Sequence, residues 1–274
     1  MCGIVGVYTN ARKADHKQRK AYFEQALMVD MIRGFHSTGM FRVTEKGQPT
    51  YFKRAVLAPD FIDMRLVQSE MNDSDNRIMI GHNRQATMGS KNNNNAHPFH
   101  YGNIVGVHNG TLRWNWKQDL PGSAKFDVDS AAIFNAFTLE PYEEVLEKID
   151  GAFALSWFDS NDSNLRIVRN NERPIHLGKV KGEDTILIAS EKLMLQWIAD
   201  RNGFKLDEVV MPAAGELWEF PLNDFDKAGM REVKLRKDVY QVSPQYNGNH
   251  KNNNNTTSPK TAKRTLKEYG LNSH

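Results

Sequence analysis

The sequence predicts an α+β fold whose sheets are largely antiparallel, with helices packed outside them. Two observations carry that expectation. Short apolar runs separated by polar, hairpin-length turns recur along most of the chain, the pattern of strands paired with their sequence neighbours. The elements come strands first and then mixed, without the strict alternation of strand and helix that marks a parallel sheet.

GIVGVY at residues 3–8 reads as a short apolar strand, closed by the polar turn TNARKAD. From about Lys17 to Ile32, the residues Tyr22, Phe23, Ala26, Leu27, Met31 and Ile32 recur at helical spacing, so one helix face is buried, and Gly34 stops the helix. MFRV and TYFKRAVL around the turn EKGQ read as a hairpin, followed by a short helix from Ala58 to Val67. The strand RIMIGHN runs into ATMGSKNNNNAHPF, a loop too long and too polar to be filler. IVGVH at 104–108 resumes as a strand, and DVDSAAIFNAF starts like a capped helix. AFALSWFD, NLRIVRN, PIHLGKV and DTILIAS are further strands, and a helix from about Glu191 to Arg201 with the strands ELWEF and REVKL completes the core. After about Tyr240 almost nothing apolar remains, so the chain divides into a domain over 1–240 and a polar tail over 241–274 expected to be disordered.

At 274 residues the chain can bury a full core. Its 36 basic and 33 acidic residues are interspersed and leave a net charge of only +3, which is no electrostatic footprint for nucleic acid in the main body. The tail is more basic, with Lys251, Lys260, Lys263, Arg264 and Lys267 close together, as a solvated tail or a phosphate-binding arm would be. No stretch has the apolar length needed to cross a bilayer, and the start lacks the pattern of a signal peptide. The single cysteine has no intrachain partner, so the expected compartment is a reducing cytoplasm.

That cysteine stands at position 2, in MCGIVGV. It is either a small packing residue at the head of a buried strand or, once Met1 is removed, a thiol sharing its carbon with a free α-amine. Four segments combine turn residues with reactive groups: RGFHSTGM, GHNRQATMG, NAHPF with VGVHNGTL, and FDVDS. Arg84, just past a strand end, is either a surface residue or a fork for a planar carboxylate. Asp129 at a helix start is either a cap or the partner of an ammonium. Asn109–Gly110 is a common turn dipeptide, but an asparagine amide followed by a glycine N–H also supplies two donors to one oxyanion. His82, His97, His100 and His108 cluster in sequence, yet no carboxylate or second thiol accompanies them at ligand spacing, so no metal is expected.

These segments, in this order, resemble the glutaminase domain of the class II glutamine amidotransferases, which are N-terminal nucleophile hydrolases. The resemblance covers about residues 2–220: MCGIVGV; RGFHSTG against the family's Arg-Gly-aromatic-Asp-Ser-x-Gly; GHNRQATMG against Gly-His-Thr-Arg-Trp-Ala-Thr-x-Gly; then NAHPF, VHNG, VDS, IDGAFAL, and the RPI and ASE segments. It implies a four-layer α/β/β/α sandwich of two largely antiparallel sheets, with Cys2 on the end of a central strand. It also implies roles: Cys2 as nucleophile, Asn109 and Gly110 as oxyanion hole, Arg84 on the substrate carboxylate, Asp129 on its α-ammonium, and Thr87 and Gly89 on the loop that closes over glutamine. No cofactor is implied. The implied partners are glutamine, a separate ammonia-accepting synthase polypeptide and further copies of the chain; no membrane is involved.

Three of the departures from the family pattern bear on function. Gln85 stands where tryptophan is usual, Met88 where histidine is often found, and His36 replaces the aspartate of the Arg-Gly motif. These departures keep two rivals open beside a glutaminase: an N-terminal nucleophile hydrolase of another small amide such as a γ-glutamyl compound, and a non-catalytic binding module.

Overall fold

In the computed structural model, residues 2–10, 15–236 and 264–265 are described. The first strand, β1 (Gly3–Thr9), is followed by α1 (His16–Asp30), a 3-10 turn at Met31–Arg33, β2 (Ser37–Thr44) and β3 (Pro49–Arg54). Next come α2 (Ala58–Ile62), α3 (Arg65–Met71), β4 (Asn76–Arg84), β5 (Phe99–Tyr101) and β6 (Ile104–Leu112). The short α4 (Trp116–Asp119), α5 (Asp129–Ala136) and α6 (Tyr142–Lys148) lead into β7 (Gly151–Asp159), β8 (Asn164–Arg169), β9 (His176–Val180) and β10 (Thr185–Ala189). The chain finishes with α7 (Lys192–Asn202), β11 (Leu206–Val210), β12 (Glu216–Pro221), β13 (Gly229–Glu232) and β14 (Arg264–Thr265).

The strands form two sheets, ordered β11-β9-β10-β1-β4-β2-β3 and β14-β13-β12-β8-β7-β6-β5. Every pairing is antiparallel, from β1 with β4 and β10 to β6 with β7. Three apolar layers hold them. Between the sheets lie Ile4, Tyr8, Ile80, Val105, Val107 and their neighbours. Val5, Val7, Tyr22, Phe23 and Leu27 pack the first sheet against α1 and α7, and Ile133, Phe134, Leu146 and Trp157 pack the second against α5 and α6. This is the α/β/β/α sandwich with antiparallel sheets that the resemblance implied. It follows from period-two alternation, which gives each strand one face toward the other sheet and one toward a helix.

Some expectations need correcting. The helix expected over Ala58–Val67 is two helices, because Met64 takes an extended conformation (φ −63°, ψ 125°) and breaks the run. The strand expected over REVKL lies at Gly229–Glu232. β11 and α6 were missed: β11 is a half-buried strand on the sheet edge, and α6 has only Val145 and Leu146 fully buried, too few to set a helical period. The tail boundary at 240 and the disorder expected over 241–274 lie outside the described residues, apart from β14.

Candidate active site

Strand β1 opens the site. Its register on β4 sets Gly3 opposite Asn83 and Ile4 opposite His82, which puts Cys2 level with Arg84. Alternation then sorts the side chains. Ile4 belongs to the core between the sheets and Val5 to the layer under α1, so Cys2 faces the space between the sheets and Gly3 faces the helix. On β4, His82 and Arg84 face inward with Ile80, while Asn83 turns toward α1 and donates to Leu27 O at 2.9 Å.

Cys2 is 8% exposed. The backbone N–H of Gln85 donates to its Sγ at 3.3 Å, and the thiol points to Gln85 O at 3.4 Å. Burial raises the Cys2 pKa, opposed by the Gln85 backbone contact and by the Arg84 charge. Such a thiol needs a base to become a nucleophile.

Cys2, Arg84, Thr87, Gly110 and Asp129 line one cavity. In this conformation it is closed, with about 10 Å³ of room for a water-sized sphere, about the threshold for a single water. The loop after β4 does the closing. The Arg84 guanidinium is buried and donates to Ser90 O at 3.1 Å and to Met88 O at 2.5 Å, and Thr87 Oγ1 lies 3.0 Å from Thr111 Oγ1. Gly89 does not line the cavity. It sits in the left-handed region at φ +70°, where an added Cβ would meet Val128 Cγ1 at 2.5 Å, so it shapes the loop.

Asn109–Gly110 is not a turn. Both residues lie inside β6, Asn109 opposite Ala154 and Gly110 opposite Phe153. Asn109 alternates with Val105 and Val107 and therefore faces the first sheet. His82 Nε2 lies 3.0 Å from His108 O, which ties β6 to β4 two residues short of Arg84. The Asn109 side chain is buried with neither Nδ2 nor Oδ1 partnered.

Asp129 begins α5 and does cap backbone amides. Its Oδ1 accepts from Ser130 N at 2.8 Å and its Oδ2 from Leu112 N at 2.7 Å, which joins α5 to the end of β6. Three of the four histidines also come together, while His100 lies edge-on to Tyr51. His82 and His97 stack with ring centroids 3.9 Å apart, and His108 Nδ1 lies 2.9 Å from Ser130 Oγ. Burial lowers all three pKa values, that of His82 to about 3, so the rings are neutral. His97 and His108 line the Cys2 cavity.

Two side chains at the site, Arg33 and Asp30, were not singled out from the sequence, and a third, His36, entered only as a departure from the family motif. Arg33 donates from Nε to Cys2 O at 3.0 Å and ion-pairs with Glu191. His36 Nδ1 accepts from Ala86 N at 3.0 Å, so this departure from the family motif anchors the start of the loop. Asp30 is fully buried behind Gly3. Arg33 and Glu191 stand in the RGF and ASE segments, which was the available signal; Asp30 stands in a helical run and gave none.

Residues 82–196 match a family profile described as a glutamine amidotransferase domain. Among characterised proteins, the chain is 30% identical over 214 residues to the glutamine–fructose-6-phosphate aminotransferase (isomerizing) of Staphylococcus epidermidis, covering 72% of this chain and 33% of that protein. The enzyme of the same name from Staphylococcus aureus is 28% identical over 235 residues, covering 79% and 37%. The chain thus spans about a third of the length of these relatives. Among solved structures, the glutamine phosphoribosylpyrophosphate amidotransferase of B. subtilis superposes with a TM-score of 0.62 at 18% identity, covering 80% of this chain and 47% of that one. A glutamine aminotransferase class-II domain protein from Silicibacter pomeroyi superposes with a TM-score of 0.54 at 11% identity, covering 85% of this chain and 99% of that one. These two similarities bear on the fold, and the sequence match bears on the domain. The chain carries the amidotransferase domain of the class II glutamine amidotransferases.

Proposed function

We propose that the protein hydrolyses the side-chain amide of glutamine to glutamate and ammonia through a thioester on Cys2, and that the ammonia passes to a synthase. The observation that carries this reading is that Cys2, Arg84, Gly110 and Asp129 line one cavity, with the Asn109 amide buried and unpartnered next to Gly110 on β6. Leaving a buried amide unpaired costs about 1–3 kcal/mol, a cost with a purpose if the donor awaits an oxyanion.

With Met1 removed, the α-amine of Cys2 has an ordinary pKa of about 7.7–8.0 and accepts the thiol proton. The sulfur attacks the amide carbon, and the oxyanion is held by Asn109 Nδ2 and the Gly110 N–H. The ammonium returns its proton to the departing nitrogen, ammonia leaves, and the thioester remains. Water, giving a proton to the same amine, then releases glutamate. Arg84 and Asp129 hold the substrate's carboxylate and ammonium. Arg84 already donates to Met88 O and Ser90 O and the cavity has room for about one water, so glutamine enters when the loop carrying Thr87 and Gly89 opens and the guanidinium turns from these carbonyls to the carboxylate.

The test is hydrolysis of glutamine, asparagine and N-substituted γ-glutamyl amides, read as the ammonia or amine released, together with the intact mass of the purified protein. Loss of Met1, release from glutamine and silence of Cys2→Ala are expected. Retention of Met1, or release from γ-glutamyl amides alone, overturns the reading.

A further inference from the structure

The strand pair that presents Cys2 and Arg84 to the cavity presents Gly3 and Asn83 to the opposite face, and a carboxyl group waits there. Asp30, the last residue of α1, is completely buried. It lies so close behind β1 that a Cβ on Gly3 would fall 1.9 Å from its Oδ1 and 2.2 Å from its Oδ2. Asn83, where the family motif has threonine, donates from Nδ2 to Asp30 Oδ2 at 3.0 Å. Asp30 Oδ1 has no partner.

A buried carboxyl with a vacant oxygen is costly unless a cation or donor meets it. The charged groups nearest this face are Arg33, from the turn after α1, and Glu191, from the segment after β10. Neither satisfies Oδ1, because Arg33 is turned to Cys2 O and Glu191. Burial pushes the Asp30 pKa up to about 7, against the pull of Asn83 and Arg33. The reaction proposed above creates one new cation on this strand, one residue from Gly3.

We infer that Asp30 is a positioning residue for the processed N-terminus: its Oδ1 accepts a hydrogen bond from the α-amine of Cys2 and stabilises the ammonium formed when that amine takes the thiol proton. The proton moves from sulfur to nitrogen, and Asp30 takes no part in that transfer and touches neither substrate nor sulfur. Ammonium formation and ionisation of Asp30 then favour one another, which raises the thiolate fraction near neutrality. This inference rests on Met1 removal and on the amine as base, and it is independent of which amide is hydrolysed.

Cys2 is the only cysteine, so the rate of iodoacetamide alkylation between pH 5 and 9 reports its thiolate without any substrate. Asp30→Asn keeps the shape and an acceptor for Asn83 and removes the charge. In the processed variant, alkylation at pH 7 should fall about tenfold and the midpoint should rise by about one pH unit, with the melting temperature little changed. Asn83→Val, which keeps the carboxyl but deprives it of the donor that favours its ionised form, should move the midpoint the same way by less and covers the case in which Asp30→Asn fails to fold. Unchanged profiles in processed, folded variants overturn the inference and leave the glutaminase reading standing, whereas retention of Met1 overturns both.

Discussion

Arg33 holds the carbonyl oxygen of Cys2 at 3.0 Å through Nε while its terminal nitrogen pairs with Glu191. One side chain thereby clamps the backbone of the nucleophile to the segment after β10. A lysine carries the charge but cannot serve two acceptors in one plane. Arg33→Lys should lose about 1–3 kcal/mol of stability in urea unfolding and slow ammonia release by more than that destabilisation accounts for. Wild-type kinetics in the variant would show that the clamp is only structural.

Asn109 opposes stability to activity. Replacing it with alanine removes a buried amide that has no partner, so the melting temperature of the unliganded protein should stay level or rise. The same change should cost about 10²–10³ in kcat if the amide is an oxyanion donor. Thermal melting and steady-state ammonia release on one preparation check both signs together.

The contact between Thr87 and Thr111, 3.0 Å between hydroxyl oxygens, offers a lock for the loop. Cysteines at both positions would set two sulfurs where these hydroxyls now meet. Oxidation should shut off turnover and a reductant should restore it, while each single cysteine variant stays active. Full activity in the oxidised double variant would mean that glutamine enters without opening this loop.

The buried histidines make stability depend on pH. His82, His97 and His108 all have pKa values lowered by burial, so between about pH 6.5 and their folded values the unfolded chain binds more protons. Their contribution is complete above about pH 6.5 and is lost as the pH falls, at about 1.4 kcal/mol per pH unit for His82, whose folded value is about 3. Asp30, raised to about 7, works in the opposite direction and offsets about one ring between pH 4 and 6.5. Urea midpoints should therefore fall below pH 6.5, and His82→Gln should flatten the slope.

Much of this architecture was legible because the core strands announce themselves. GIVGVY, RIMIGHN and AFALSWFD are apolar runs between polar turns, and each is a strand in the structure. The order of the motifs around Cys2 was enough to gather Arg84, Thr87, Gly110 and Asp129 at one cavity. What escaped has a common physical cause: it depends on partners distant in sequence. Asn109–Gly110 has the composition of a turn, and only pairing with Ala154 and Phe153 on β7 keeps it extended. Asp30 looked like one more polar residue on a helix until β1 and β4 closed over it.

The extended course of β6 through Asn109–Gly110 also governs how the protein ages. Asn-Gly is the dipeptide most prone to spontaneous deamidation, because an unhindered glycine nitrogen can fold back on the asparagine side-chain carbon and close a succinimide ring. Pairing across to Ala154 and Phe153 holds the backbone away from that cyclisation. Any fraying of this strand would expose the chain to a slow conversion of Asn109 into an aspartate or isoaspartate, an anion at the spot where negative charge must gather during turnover, so chemical wear and loss of activity should begin at the same residue.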